Sequence, residues 1–414
     1  MSSAMEPSVT SPNGDSVGVL LQFGAMMLGA GNTATRTRES MEAIARRMAI
    51  AAPAVSISFD SITATVRRSD EWITRVRDIG PAAVNVWQVA ELERLPRTLK
   101  PETGLGEIEA KLAGIKSTVH QYSTLQIAVA VALATAGFAF VNGAAAPEMI
   151  ASAFGGGIGQ WARMWLSRRR FNQFGAAALS AAIASGVFVI AAGLAGRAGF
   201  GFAHYPAGFI ASVLFLVPGF PLIAGLFDLL QYQTVAAVSR FAFGLMILLS
   251  VALGLSFVVE VAKIDISRQP PVELVYSLKL LLRAVSSFVA GCAFAMAFNT
   301  PLRIALFAGL LALVANSLRL VLIDIGMMLA PAAFCAALVI GLVAILADHR
   351  FKVPPIAMTV APVVIMMPGV YAFEAIVLFN RGQMIDAIQA SASCWFVIGA
   401  LAMGLATSRF FRPK

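Results

Sequence analysis

Pro218-Gly219 and Pro368-Gly369 each interrupt an apolar run, FIASVLFLVPGFPLIAGLFDLL and VAPVVIMMPGVYAFEAIVLF, and the two pairs stand 150 residues apart. Proline lacks the N–H that closes the helical ladder and glycine adds slack, so each pair breaks its helix. Inside a bilayer the freed backbone groups have no water to turn to; protein or a wet cavity must supply their partners. The half-helix that restarts after a break presents N–H groups suited to an anion such as a carboxylate. Pro221, two residues after Gly219, widens the first break. A single such break is commonly a packing kink. Two at matching positions of two halves point instead to the binding site of a transporter.

Charged residues near the breaks set the chemistry. Asp228 and Glu374 follow Pro218 and Pro368 by 10 and 6 residues, which is ~15 Å and ~9 Å along a helix axis. An acid within the membrane is costly; it pairs with a substrate ammonium, carries a coupling proton, or bridges to a neighbouring base. Lys279 and Arg283 lie one turn apart on one helix face. They either attract an anionic substrate or snorkel outward. Asn316, Arg319 and Gln160 are further polar candidates within apolar stretches.

The elements that hold these residues are membrane helices. The chain is 58% hydrophobic and 13% charged, with a mean hydropathy of +0.80, against about 25% charged in soluble domains. Ten stretches near the roughly 20 residues needed to span fall at 124–142, 147–166, 174–196, 207–230, 236–259, 275–298, 302–320, 327–347, 356–379 and 387–407. Shifting the first five by 150 residues nearly reproduces the second five, with Gly254 and Gly404 as one matched pair. Five is odd, so the second half starts on the opposite side of the membrane. The expected fold is therefore an α-helical polytopic membrane protein of two inverted five-helix repeats, 124–260 and 275–408.

Residues 1–123 differ. They carry 13 Lys+Arg and 13 Asp+Glu, whereas the remaining 291 carry 18 and 9. The pI near 9.9 thus reflects basic loops, not nucleic-acid binding. Residues 1–16 read as a disordered lead and 17–123 as a small α/β cytoplasmic domain. It begins with a short apolar helix to Gly31 and a second helix capped by Asn32 or Thr33. A hairpin follows over 55–59 and 62–66, then helices from Pro81 and Pro101. The stretch 17–31 lacks a basic flank and is too short to span, so it is not a cleavable leader. Ten basic residues in the inner loops and ends, Arg168-Arg169-Arg170 foremost, stand against five outside. Both termini are expected in the cytoplasm of a bacterial-type inner or plasma membrane.

Other chemistries find little support. Cys292, Cys335 and Cys394 lie in apolar runs, and His120, His204 and His349 have no metal spacing. Residues 17–123 carry neither a phosphate loop nor a nucleophile arrangement. No cofactor or metal is expected. Gly155-Gly156-Gly157 and Gly159 read as close helix contact, and Asn299-Thr300-Pro301 as a helix start.

These residues together resemble the threonine/serine exporter family over nearly the whole chain after residue 16. The N-terminal part is similar in Ala30-Gly31, Thr35-Arg36, Glu39-Ser40-Met41, Arg75-Val76 and Val84-Asn85. The membrane halves are similar in Pro218–Leu222 with Asp228, then in Phe298–Arg303 and Met367-Pro368-Gly369. Ala51-Ala52-Pro53 departs from the glycine-containing end that the family's second helix would have. The resemblance implies proton-driven efflux of threonine or serine. Split relatives imply a rival, export of dicarboxylates such as succinate, in which Lys279, Arg283 or Arg319 would outweigh Glu374. A membrane-anchored enzyme with its site in 1–123 and a passive channel are the other classes. The expected partners are a small amino acid or organic acid, protons and the lipid bilayer; homo-oligomerisation stays open.

Overall fold

The computed structural model describes residues 15–50, 52–68, 71–80, 83–100, 103–118, 121–199, 205–263, 274–351 and 355–411. They form two compact units, one of residues up to 119 together with Asp228–Ser239, the other of 120–227 with 240–414.

The smaller unit is built around α1 (Ser16–Gly29), whose Leu20, Phe23 and Met27 are fully buried. A helix this apolar is stable only when wrapped on all sides. Gly31, at φ +101°, ends it by donating its N–H to Leu28, and Asn32 donates to Met27. Thr33 then caps α2 (Ala34–Arg47), which buries Ala34, Thr37, Met41, Ile44 and Ala45 at helical spacing. Strands β1 (Ala54–Ile57), β2 (Ser61–Arg68) and β3 (Glu71–Asp78) form an antiparallel sheet in that order. Ile62, Ala64 and Val66 of β2 alternate into the core. The turn between β1 and β2 is tied by the Ser58 hydroxyl, which holds the Asp60 carboxyl below its usual range.

The expected hairpin is present, but the sheet has a third strand. EWITRVRD shows no period of two because β3 is almost wholly exposed, with Trp72 at 66%. Helix α3 (Val86–Thr98) starts at the Asn85 cap rather than at Pro81, which lies outside the described residues, as does Pro101 before α4 (Leu105–Ser117).

The larger unit is helical throughout. Its first part holds α5 (Thr124–Val141), α6 (Ala146–Arg168), α7 (Gln173–Arg197), α8 (Tyr205–Ala211), a 3₁₀ turn at Leu214–Leu216, and α9 (Gly219–Leu230) and α10 (Thr234–Ala262) apart from their residues Asp228–Ser239, which belong to the smaller unit. Its second holds α11 (Tyr276–Ala297), α12 (Leu302–Asp324), α13 (Leu329–Phe351), α14 (Pro355–Val364), α15 (Gly369–Asn380) and α16 (Met384–Ser408). Every expected stretch is helical within a few residues of its predicted bounds. Among the described residues, seven helices are long and apolar enough to cross a membrane, or up to nine if each of the two bent pairs is one span. The helix missing from the expected ten is α6, whose interior carries Gln160, Arg163 and four glycines.

Small residues set the packing. A Cβ on Gly254 of α10 would collide with the Ala178 carbonyl of α7, and one on Gly404 of α16 would stand 2.5 Å from the Phe334 carbonyl of α13. Matched helices of the two parts therefore pack in the same way. Gly155 and Gly159 bring α6 against Ala184, Gly156 against Thr135 and Gly157 against Ala132, with no room for a side chain at the closest points, the close contact expected of them. Between the parts, α5 meets α11 through Gly137 at the Ser286 carbonyl and through Phe138 edge-on to Phe294, with centroids 5.7 Å apart.

Candidate functional site

Both proline–glycine pairs break their helices. The chain bends by 61° between Ala207–Leu216 and Gly219–Leu230, and by 46° between Pro355–Val364 and Gly369–Asn380. The local hydrogen bonding is the same at each. Gly219 donates to Val217 and Gly369 to Met367, both at 2.8 Å, closing a tight turn around the proline. The ladder then resumes from the proline carbonyls, with Leu222 donating to Pro218 and Ala372 to Pro368. Backbone that would otherwise be orphaned in an apolar interior is thus largely satisfied locally, as it must be.

The two breaks touch. The hydrogen face of Gly219 lies on Met367 and Val364, and that of Gly369 lies on Leu214 and Val217. Leu214 and Val364, Val217 and Met367, and Gly219 and Gly369 are each 150 residues apart, so the contact is reciprocal. Pro218, Gly219, Pro368 and Gly369 are buried and Pro221 is half-buried. They differ in one respect that matters for anions. The first-turn N–H groups of α15, at Val370 and Tyr371, cannot be satisfied within their own helix, whereas in α9 Pro221 removes one such donor.

Arg319 of α12 brings a cation to this region. Its Nε donates to Asn316 Oδ1 at 2.9 Å, and Asn316 Nδ2 donates to Ser287 Oγ of α11 at 2.8 Å. Asn316 and Ser287 are buried, so the guanidinium is held by a fixed strut. It lies within electrostatic reach of Tyr371, in the first turn of α15 after the break, and of Arg283 on α11. Glu374 sits one turn beyond Tyr371 on the same helix, half-buried. Lys279 and Arg283 are placed differently from Arg319: both pair with Asp324, at 4.0 and 2.6 Å. They share that one carboxylate, with Arg283 the closer of the two.

Asp228 is not beside the break. It is fully buried in the smaller unit, where Oδ1 accepts the Ala34 N–H at the start of α2 at 2.9 Å. Carboxylates are favoured there by the helix dipole, and such a cap is worth about 1 kcal/mol. Gln233, just beyond it, accepts from Arg38.

Two contributors, and one buried acid outside this site, escaped the reading of the sequence. Tyr371 and Ser287 are ordinary residues of apolar helices whose spacing carries no signal. Glu148, fully buried in the first turn of α6, sits beside a predicted membrane edge, where an acid is unremarkable in sequence. Asn299-Thr300 does more than start a helix. Asn299 Oδ1 accepts the Gln121 N–H at 2.7 Å, and the Thr300 carbonyl accepts the Tyr122 hydroxyl at 2.7 Å. Among the described residues, no group of three His, Cys, Asp or Glu is arranged to hold a metal.

Seven to nine candidate spans, two helices broken where they meet and a small mixed unit define a multi-pass membrane protein built around paired discontinuous helices. Residues 18–262 match the family described as "Putative threonine/serine exporter" and residues 283–411 the one described as "Threonine/Serine exporter, ThrE". The chain belongs to the threonine/serine exporter family, with both modules in one polypeptide. An uncharacterized protein of Haemophilus influenzae is 30% identical over 150 residues, 34% of this chain and 50% of the relative. The chain therefore spans about half the length of that curated relative. No solved structure matches.

Proposed function

We propose that the protein is a secondary exporter of small neutral amino acids, threonine and serine foremost, driven by protons. Its two halves would form an inverted repeat that rocks around the paired breaks. The observation that carries this reading is the reciprocal contact of Gly219 and Gly369, each against the residues 150 positions from the other's partners. A contact in which i meets j′ while i′ meets j is what a two-fold axis produces. The excess of basic residues in the inner loops supports a cytoplasmic side for both termini.

The substrate carboxylate would lie between the Arg319 guanidinium and the N-terminus of α15, and its ammonium at Glu374. One helical turn, about 5 Å, separates Tyr371 from Glu374, a spacing suited to the two charges of a zwitterion. Dicarboxylate export would call for a second cation. Lys279 and Arg283 share the carboxylate of Asp324, so neither stands wholly uncommitted, which favours the amino acid.

Ligand stabilisation separates the two cargoes. A ligand at 100 times its Kd stabilises the state that binds it by about 2.7 kcal/mol. Saturating threonine or serine is expected to raise the melting temperature of the detergent-solubilised protein by ~2–4 °C, and succinate to leave it unchanged. A shift with succinate and none with threonine reverses the assignment.

A further inference from the structure

Glu148 has no part in the site above, yet it is a fully buried carboxylate inside the helical unit. It occupies the first turn of α6, where the dipole favours its charge. The roof over it is Gly208 of α8. A Cβ on Gly208 would stand 2.9 Å from Glu148 Cβ, 3.1 Å from its carbonyl and 2.7 Å from Phe188 Cε2 of α7. Only glycine lets α8 come this close, and Phe209 beside it packs edge-on to Phe188, with centroids 6.0 Å apart. The covering helix is thus the first arm of the bent pair that ends at Pro218-Gly219. Below Glu148 the same face of α6 carries buried Ser152, whose hydroxyl and carbonyl exchange hydrogen bonds with Thr135 of α5, then Gly156 packed on Thr135, and buried Gln160 one turn further. Of the elements packed against α6, α5 and the 3₁₀ turn carry no ionisable residue. Arg197 at the end of α7 and Tyr205 at the start of α8 are the ionisable residues of the other two.

We infer that Glu148 is the residue that takes up the coupling proton. This rests on the exporter reading above. A charged Glu148 has to be held or solvated, and α8 cannot move freely over it. Adding a proton to its Oε turns the carboxylate into a neutral acid that the apolar arm slides across; loss of that proton on the opposite side restores the charge. The proton bound is the proton released, so one positive charge crosses per cycle at this residue. The predicted topology puts the start of α6 at the outer face, where protons enter.

The test uses the full chain in proteoliposomes, wild type and Glu148→Gln, with two readouts. Threonine counterflow at equal pH needs no net proton movement. Accumulation driven by an imposed pH gradient does, and a trapped pH dye follows the protons. Glu148→Gln is expected to keep counterflow within about twofold of wild type, while losing at least tenfold of both gradient-driven accumulation and threonine-dependent proton flux. Glu148→Asp is expected to restore part of the proton flux. The assignment is overturned if Glu148→Gln keeps wild-type proton flux, or if it loses counterflow along with accumulation. A wild type without counterflow of any amino acid refutes the exporter reading itself, a distinct outcome.

Discussion

Replacing Arg319 by glutamine lowers threonine counterflow by ~10- to 150-fold, the loss expected when a charged hydrogen-bond partner worth about 1.5–3 kcal/mol is removed. The effect is large because the guanidinium is already positioned. Asn316 takes Nε at 2.9 Å and is itself held by buried Ser287, so the strut costs nothing at the moment of binding. With Nε engaged, the outer nitrogens are left to face a carboxylate as a fork. Arg319→Lys keeps the charge but not the fork, and is expected to fall between wild type and Arg319→Gln. Asn316→Ala releases the strut and should raise KM more than it lowers kcat. Counterflow and melting temperature, measured together, separate lost binding from lost folding. Wild-type counterflow in a well-folded Arg319→Gln protein would mean that the carboxylate binds elsewhere.

The second large effect distinguishes the two breaks. A Cβ on Gly369 would stand 2.8 Å from both Leu214 Cδ2 and Val217 Cγ2, and Val217 is β-branched and stiff at χ1. On Gly219 the nearest atom is Met367 Cγ at 3.1 Å, and methionine yields easily. Gly369→Ala is therefore expected to cost ~1–3 kcal/mol of stability, as overpacking does, and to cut transport by an order of magnitude. Gly219→Ala should stay near wild type on both counts. Equal losses in the two variants, or a greater loss in Gly219→Ala, would show that the breaks do not meet through these faces. Backbone strain plays no part, since neither glycine has a positive φ.

Much of this architecture is legible in the chain itself. Apolar length and the 150-residue shift locate the helices to within a few residues, because burial in lipid leaves little freedom in where a helix begins and ends. The broken helices announce themselves through proline, whose missing donor no context restores. What stays hidden is whatever depends on partners distant in sequence. Asp228 reads as an intramembrane acid and turns out to cap α2, since only the fold brings residue 228 to residue 34. Lys279 and Arg283 look available until Asp324 arrives from the far end of α12. The edge strand β3 is invisible because a strand exposed on both faces has no hydrophobic alternation to read. Glu148 is hidden by its position at a span's edge, although its burial is complete.

The most direct test of the proposed exporter is counterflow with the purified full chain. Proteoliposomes loaded with unlabelled threonine or serine should transiently accumulate external labelled threonine, with no ion gradient imposed, and should fail to do so when Arg319 is replaced by glutamine. A carrier that alternates between two faces produces such an overshoot; a passive channel does not. Overshoot with succinate but none with threonine, or simple equilibration without overshoot, would contradict an amino-acid carrier built on the paired breaks.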